Sequence, residues 1–387
     1  MAKICIVTGS RADYGLLCGL MREIDEDPEL TLMTAVTGSH LSPLYGNTYR
    51  QIEEDGFRLT VQVPLDLSGN SSEDVAEATA QGIRGFARAY RELEPDLVVV
   101  LGDRYEIMAA ASAAMLLNIP IAHVHGGETT EGAIDNAMRH AMTKMAHLHF
   151  TAAEAYRRRV IQMGERPDTV FNVGSPGADR VRGFSPIDLA RFEELLDFRF
   201  REANFLVTLH PVTLKPEENE QMTRETLQAL DRFPEASVLI TLPNADQGSR
   251  GIRAHLERYA ERHPGRVKAF ESLGHHYLNA MFYSSAVIGN SSSGIIEAPA
   301  MRIPTVNIGD RQKGRLRAAS VIDCEIEAAA IEAAIRRALS DEFRRSFAKE
   351  APPYGSGDSA FRMKEILKRT NLRSLLSKSF YDLEISR

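Results

Sequence analysis

Between Gly289 and Glu297 the chain reads G-N-S-S-S-G-I-I-E, three hydroxyls framed by two glycines directly after a short apolar run. A strand that stops, a small-residue turn and a helix start aim backbone N–H groups and the positive end of a helix dipole at one place, which suits an anion. Ser291, Ser292 and Ser293 add hydroxyl donors, and Glu297, about one helical turn in, could accept from a ribose hydroxyl. One serine is enough to cap a helix, so three in a row point to a ligand with both phosphate and sugar: a nucleotide. A second set of residues carries acid–base chemistry. Asp103 follows Gly102 at the end of one apolar run, Glu128 follows Gly126-Gly127 at the end of the next, and Asp135 falls near the first turn of the helix after that, with Arg139 one turn on and His140 beside it. Carboxylates sharing one mouth raise each other's pKa, which lets one of them exchange protons near neutral pH. The plainer alternatives are that Asp135 caps its helix and that Asp103 pairs with Arg104 or Arg139.

Other polar residues also directly follow apolar runs. The first run ends in T-G-S-R-A-D-Y-G, where Arg11 could clamp a phosphate with two parallel bonds or pair with Asp13. It contains no G-x-G-x-x-G, so nicotinamide chemistry is unsupported and no cofactor is expected. His210-Pro211 ends a run in the second half; that histidine could bind a diphosphate, act as an acid, or simply precede a proline turn. Asn244-Ala245-Asp246 follows another run, and Gly309-Asp310-Arg311-Gln312-Lys313-Gly314-Arg315 is a basic, glycine-flanked loop suited to closing over phosphates. His123 and His125 alternate near Glu128, which could suggest a metal; because His125 runs straight into Gly126-Gly127, a hydrogen-bonded core histidine fits better, and no metal is expected.

The elements that must position these residues are short Val/Ile-rich runs alternating with longer helical stretches. In the first half the runs are 4–8, 32–37, 59–63, 97–101, 119–124, 148–151 and 169–173, and in the second 205–209, 237–241, 267–270, 286–288, 305–308 and 320–322. Helical patterns lie between them, as over 72–93 and 105–117. This alternation predicts α/β architecture, with parallel sheets covered on both faces, and ligands outside the carboxyl ends of the strands. The pattern pauses after Gly174-Ser175-Pro176-Gly177 and stays polar to Asn204. The expected organisation is therefore two Rossmann-like domains, 1–178 and 179–357, with a final helical segment from Ser359 to about Leu376, within 358–387, packing back on the first.

The 387 residues carry a net charge of −7, which gives no footprint for nucleic acid, and clusters such as Arg157-Arg158-Arg159 read as solvated helix faces. No apolar run reaches the length of a membrane span. The N-terminus looks like a first strand rather than a signal peptide, and the three cysteines, Cys5, Cys18 and Cys324, show no zinc or redox spacing. A cytoplasmic protein is expected.

Taken in order, T-G-S-R-A-D-Y-G, L-G-D-R-Y-E, H-G-G-E, G-N-S-S-S-G-I-I-E and N-I-G-D-R-Q-K-G-R make the chain resemble the UDP-N-acetylglucosamine 2-epimerase family over about Lys3 to Leu367. S-R-A-D-Y and G-G-E-T-T-E-G depart from the G-T-R-P-E and E-A-G-L-R-T of the non-hydrolysing branch, so the hydrolysing branch of sialic- and legionaminic-acid biosynthesis is the nearer resemblance. It implies a glycosyltransferase-B type fold, its two domains facing across a cleft, and a nucleotide-sugar substrate bound through UDP. It also implies Asp103, Glu128 and Asp135 as acid–base carboxylates, with Arg11, His210, Ser291 and Ser292 near the diphosphate and Glu297 at the ribose. Arg104 and Arg311 are further carry-overs to substrate binding, and the segment 270–273 would meet uracil. The implied reaction releases N-acetylmannosamine and UDP from UDP-N-acetylglucosamine. The same chemistry on a 2,4-diacetamido-trideoxyhexose nucleotide, and a glycosyltransferase of the same architecture, are the alternatives. The resemblance further implies a homodimer or homotetramer, for which the apolar face of 105–117 is a candidate contact; ordinary core packing of that helix is the other reading.

Overall fold

The computed structural model describes residues 1–69, 71–131, 134–212, 215–243, 248–355 and 357–383; the Asn244-Ala245-Asp246 segment lies outside the described residues. The chain forms two compact units. The first comprises Met1–Glu128, Asp135–Arg180 and Tyr354–Arg387, and the second Thr129–Ile134 and Val181–Pro353.

In the first unit, β1 (Ala2–Thr8), β2 (Leu30–Thr37), β3 (Val61–Val63), β4 (Leu97–Leu101), β5 (Ile121–Val124), β6 (Leu148–Thr151) and β7 (Val170–Asn172) form one sheet in the order β3-β2-β1-β4-β5-β6-β7. All its pairings are parallel. Period-2 alternation sorts the strand residues onto two faces. Ile4 and Ile6 pack with Leu17, Leu20 and Met21 of the helix Arg11–Asp25, and with Met363 and Leu367 of the helix Ser359–Arg369. Cys5 and Val7 face the opposite way, against Phe86, Tyr90, Ile107 and Ala110 of the helices Ser72–Leu93 and Tyr105–Leu116. Each such fully buried Leu or Ile contributes about 1.5–3 kcal/mol. Ser71 starts the helix Ser72–Leu93 through a capping box with Asp74. Most of the apolar residues of Tyr105–Leu116 are used up in this core, leaving Met115 and Leu116 exposed at its end.

In the second unit, β8 (Asn204–Thr208), β9 (Ser237–Thr241), β10 (Val267–Phe270), β11 (Ala286–Gly289), β12 (Thr305–Ile308) and β13 (Val321–Cys324) form a parallel sheet in the order β10-β9-β8-β11-β12-β13. In each sheet the strand order reverses once, between β1 and β4 and between β8 and β11. Crossovers leave the sheet in opposite directions there and open a crevice beyond the strand ends.

Three local expectations change. The polar stretch before Asn204 holds two helices, Pro176–Arg182 and Leu189–Leu196, the second capped by the Asp188 carboxylate, which accepts from the N–H groups of Ala190 and Arg191. The division between the units falls inside the first of these helices. The C-terminal segment is not one helix: Ser359–Arg369 stops at Thr370, and a 3-10 turn, Leu372–Leu376, follows. Arg157 and Arg159 are not simply solvated. Arg157 donates to Val170 O and Pro167 O, and Arg159 to Gly127 O, which leaves Arg158 as the exposed one, paired with Glu154 at 3.5 Å. Among the described residues no helix is long and apolar enough to cross a membrane.

Candidate active site

The residues singled out from sequence fall into two groups, one in each unit. In the first, β4 and β5 are adjacent and parallel, so the loops after them open at the same edge. Gly102, at φ +80°, turns the chain after β4 and delivers Asp103. Beyond β5 the strand ends at Val124; His125 takes φ +66°, a left-handed conformation rare for a non-glycine, and its N–H donates to Phe150 O at 2.9 Å. That turn brings His125 Nδ1 within 3.1 Å of Glu128 Oε1, with the Glu128 side chain fully buried. The ring's other nitrogen meets Ser175 Oγ at 3.3 Å.

Arg139 joins the two loops. It is buried on the helix Asp135–Met145, donates through Nη1 to His125 O at 2.9 Å and pairs through Nη2 with Asp103 Oδ2. Asp103 thus pairs with Arg139, whereas Arg104 turns to Glu106, Nε to Oε1 at 2.5 Å. Asp135 is the first residue of its helix, where its charge suits the dipole. His140, on the next position from Arg139, is held below its ordinary pKa by burial and then by Arg139 and Arg159. His123 is a core histidine: it donates from Nε2 to Gly102 O at 2.8 Å, meets Thr143 Oγ1 at 3.1 Å, and burial brings its pKa down to about 3, so it is uncharged. Among the described residues no group of three His, Cys, Asp or Glu side chains is arranged to hold a metal ion. At the end of β1, Ser10 caps the helix that begins with Arg11 and accepts from Asp13 N–H at 3.3 Å.

In the second unit, Asn290 is the hub. It is fully buried, accepts from His210 N–H at 2.7 Å through its side-chain oxygen, and donates to His210 O at 2.8 Å. Its own carbonyl accepts from Arg311 Nη1 at 3.1 Å and Gln312 Nε2 at 2.8 Å. One asparagine therefore fixes the end of β8, the serine loop and the basic loop after β12. Gly289 is required just before it: at φ +133°, a Cβ would lie 1.9 Å from Thr208 O.

The serine loop departs from its expected form. Ser291 accepts from Ser293 N–H at 3.4 Å and caps a three-residue 3-10 turn, Ser292–Gly294. The helix that follows, Glu297–Ala300, is a single turn, and Arg302 beyond it takes φ +60° ahead of Pro304. A one-turn helix sums few peptide dipoles, so an anion there would be met by hydroxyls and individual N–H groups more than by a macrodipole. Ser291 and Ser292 are partly exposed, while Ser293 is tied to Tyr277 at 2.5 Å. Glu297 is buried at the start of the one-turn helix. The 309–315 loop is built against the segment after Glu128: Arg315 Nε donates to Thr129 O at 3.1 Å, Thr129 Oγ1 donates to Lys313 O at 3.3 Å, and Gly314 at φ +82° leaves room for the Thr129 hydroxyl. At the end of β10, Phe270 O accepts from Leu242 N–H at 3.0 Å and Glu271 pairs with Arg253.

Two parallel-sheet α/β units, each gathering polar side chains at its strand-order reversal, are the architecture of the glycosyltransferase-B type. The family model for UDP-N-acetylglucosamine 2-epimerase matches residues 22–368, and the chain belongs to that family of epimerase enzymes. It is 38% identical over 383 residues to a GDP/UDP-N,N'-diacetylbacillosamine 2-epimerase (hydrolyzing) of Campylobacter jejuni, covering 98% of this chain and 99% of that one. It is 37% identical to the polysialic acid biosynthesis protein P7 of Escherichia coli, covering 99% and 98%, and 35% identical to a UDP-N,N'-diacetylbacillosamine 2-epimerase (hydrolyzing) of Legionella pneumophila, covering 96% and 97%. Among solved structures, UDP-GlcNAc 2-epimerase from Neisseria meningitidis bound to UDP-GlcNAc superposes with a TM-score of 0.80 at 18% identity, over 95% of this chain and 100% of that one.

Asn290, Gln312 and Arg139's role as a link were not singled out from sequence. Asn290 stood inside a quoted motif but read as a turn residue, and the signal available was an asparagine placed between a strand-end glycine and the serines.

Proposed function

We propose that this protein is a hydrolysing 2-epimerase of a UDP-linked 2-acetamido sugar. The observation that carries the reading is the joined pair of strand ends in the first unit, where Arg139 ties Asp103 to the loop that holds Glu128. Holding one carboxylate on a buried guanidinium and a second on the histidine of the loop it ties down suits proton transfer and has no use in a protein that only binds nucleotide.

The C2–H of such a sugar is weakly acidic while C1 keeps its substituent. As the C1–O bond to the diphosphate breaks, its electron pair leaves with UDP and positive character at C1 acidifies H2. A carboxylate from among Asp103, Glu128 and Asp135 takes that proton on the face anti to the departing UDP, and the C1=C2 double bond of a 2-acetamidoglycal forms. A second carboxyl group then gives its proton to C2 from the opposite face while water adds its oxygen at C1 and passes its spare proton to the carboxylate so left ionised; the proton first taken from C2 goes to solvent. Free N-acetylmannosamine and UDP leave, one water having been consumed. Charge on the departing diphosphate is met by Arg11, Arg104, Arg311, His210, Ser291 and Ser292, with Glu297 on the ribose.

A second reading of the sugar rests on a specific observation: two of the relatives above 35% identity or at it are named for N,N'-diacetylbacillosamine. The chemistry is unchanged, and a 2,4-diacetamido sugar replaces N-acetylglucosamine. In either case the product feeds nonulosonic, sialic-type acid synthesis.

The test is incubation with UDP-N-acetylglucosamine, and separately with its 2,4-diacetamido counterpart, in D2O under proton NMR. Free manno-configured sugar with deuterium at C2 is expected from one of them. A new sugar that stays UDP-linked, or release without deuterium at C2, overturns the mechanism; the better substrate of the two decides the sugar.

A further inference from the structure

Two carboxyls at the strand-order reversal of the first unit have no role in the reaction above. Glu106 is almost fully buried in the first turn of the helix Tyr105–Leu116, and its Oε1 accepts from Arg104 Nε at 2.5 Å. Its Oε2 is buried with no hydrogen-bond partner among the described residues. The side chain runs beneath the ends of β1 and β2, and two glycines make the space for it. A Cβ on Gly9 would lie 2.6 Å from Glu106 Cγ, and one on Gly38, at φ +57°, would lie 3.2 Å from that atom. A carboxylate threaded this way is costly to bury unless it serves a charge beside it.

Asp13 completes the cluster from the helix Arg11–Asp25. It is buried, and its Oδ2 accepts from Gly9 N–H at 3.3 Å. Burial pushes its pKa up to about 7, the Arg104 guanidinium opposes that rise, and Glu106 adds to it. Two further groups come from neighbouring elements: the Arg180 guanidinium reaches the same helix at Gly15, where a Cβ would lie 3.1 Å from its Nη1, and His40, after β2, meets Thr8 Oγ1 at 3.0 Å, with burial taking its pKa down to about 3 so that it brings no charge near neutrality. Arg11 lies on Asp13's own helix.

We propose that Asp13 and Glu106 are positioning residues for Arg104: Glu106 fixes the guanidinium at the reversal, and Asp13 sets the net charge there and with it the affinity for an anionic substrate group. This rests on the reading above that the anion is a nucleotide diphosphate. Glu106 offsets the charge of Arg104 through their ion pair, and Asp13 is the group in the cluster whose charge changes near neutrality. Ionisation of Asp13 lowers the charge at the reversal by one unit and weakens its attraction for the diphosphate. Affinity is therefore highest below neutral pH and falls as pH rises through the Asp13 ionisation.

The experiment is calorimetric titration of UDP into the wild type, Asp13→Asn and Glu106→Gln between about pH 5.5 and 8.5, the span in which a carboxyl raised this far changes charge. The phosphate ionisation of UDP itself is common to all three and cancels in ratios. The ratio of wild-type to Asp13→Asn dissociation constants should rise about tenfold across this range, the size of effect that a unit charge a few ångströms away produces at a partly screened site. The wild-type midpoint should fall near the about 7 given by the cluster, and Glu106→Gln should move it downward. Should Glu106→Gln not fold, the Asp13 carboxyl carbon followed by 13C NMR in the wild type reports the same titration. A pH-independent ratio, or a carboxyl that titrates in the ordinary range, overturns the proposal. A wild type that binds no UDP at any pH overturns it together with the nucleotide reading. UDP binding with the expected ratio, but without deuterated sugar release, leaves the cluster's role standing and sinks the hydrolytic reading alone.

Discussion

Asn290 and His210 hold each other's main chain: the asparagine side chain accepts from His210 N–H at 2.7 Å and donates to His210 O at 2.8 Å, across 80 residues of sequence. With Arg311 and Gln312 on its own carbonyl, Asn290 brings three loops of the second unit into one register. Asn290→Ala would leave two buried backbone groups unpaired, at a cost of about 2–4 kcal/mol. Urea denaturation should show that loss, and UDP affinity should fall with it. Wild-type stability and affinity in the variant would remove Asn290 from this role.

Arg139 makes two contacts with one planar group, to Asp103 and to His125 O. An ammonium is a point charge that cannot reproduce that fork. Arg139→Lys is expected to lower kcat about a hundredfold through misplacement of Asp103, with KM changed only a few-fold. Steady-state kinetics with the sugar nucleotide checks this; an unchanged kcat would mean that the Asp103–Arg139 pair is dispensable.

Glu165 is a buried carboxylate outside the site. Burial alone pushes it upward, but His149 at 3.0 Å, Lys144, and Lys378 at 2.8 Å outweigh this and bring its pKa down to about 2. Lys378, by contrast, sits below its ordinary value because burial of the ammonium outweighs its pairing. Three cationic or donor groups converge on Glu165, and its ionised form is the one they favour. A depressed carboxyl stabilises the fold above its unfolded pKa and loses that contribution as pH falls through the folded one. Relative to Glu165→Gln, the wild type should hold an advantage of about 3 kcal/mol at neutral pH that fades between about pH 4.5 and 2. Chemical denaturation of both proteins over that range measures it; a difference that does not shrink in acid contradicts the assignment.

Gly289 leaves no room for a methyl group, with Thr208 O 1.9 Å from where a Cβ would stand and φ at +133°. Gly289→Ala should destabilise the second unit by about 3 kcal/mol or more. Thermal melting of this variant beside Gly265→Ala, at φ +75° but with nothing within 4 Å of the added carbon, separates the steric clash from the cost of a side chain at positive φ; equal losses in the two variants would remove the clash from the account.

The strands were legible because apolar runs such as Leu97–Leu101 are buried on both faces, which leaves no polar alternation to blur them. The loop residues at their ends were legible for the same reason: a polar residue directly after such a run has few places to be. What the sequence did not show was partner choice. Arg104 and Arg139 looked equally able to pair with Asp103, and only the turn at Gly102 and the buried Glu106 separate them. The helix after the serine loop was overestimated because Ile295, Ile296 and Glu297 carry a helical pattern that Pro299 and the left-handed Arg302 cut to a single turn. The helix Pro176–Arg182 was missed because its polar composition resembles that of a linker, and Leu189–Leu196, amphipathic with Phe192 and Leu196 buried, because it is short and set between polar flanks.

The helix Ser359–Arg369 covers one face of the first sheet, yet it is made only after the stretch Val181–Pro353 of the second unit. During synthesis, Leu17, Leu20 and Met21 emerge long before Met363 and Leu367, which pack with them in one cluster. All of Val181–Pro353 must be translated in between. At the usual elongation rate of about 5–20 residues per second, that face waits about ten to thirty-five seconds for its cover. The nascent chain therefore carries an open apolar surface while its second unit is already folding. A premature stop anywhere before residue 359 would leave that surface permanently bare, a lesion that protein quality control would meet as an aggregation-prone fragment rather than as a slow enzyme.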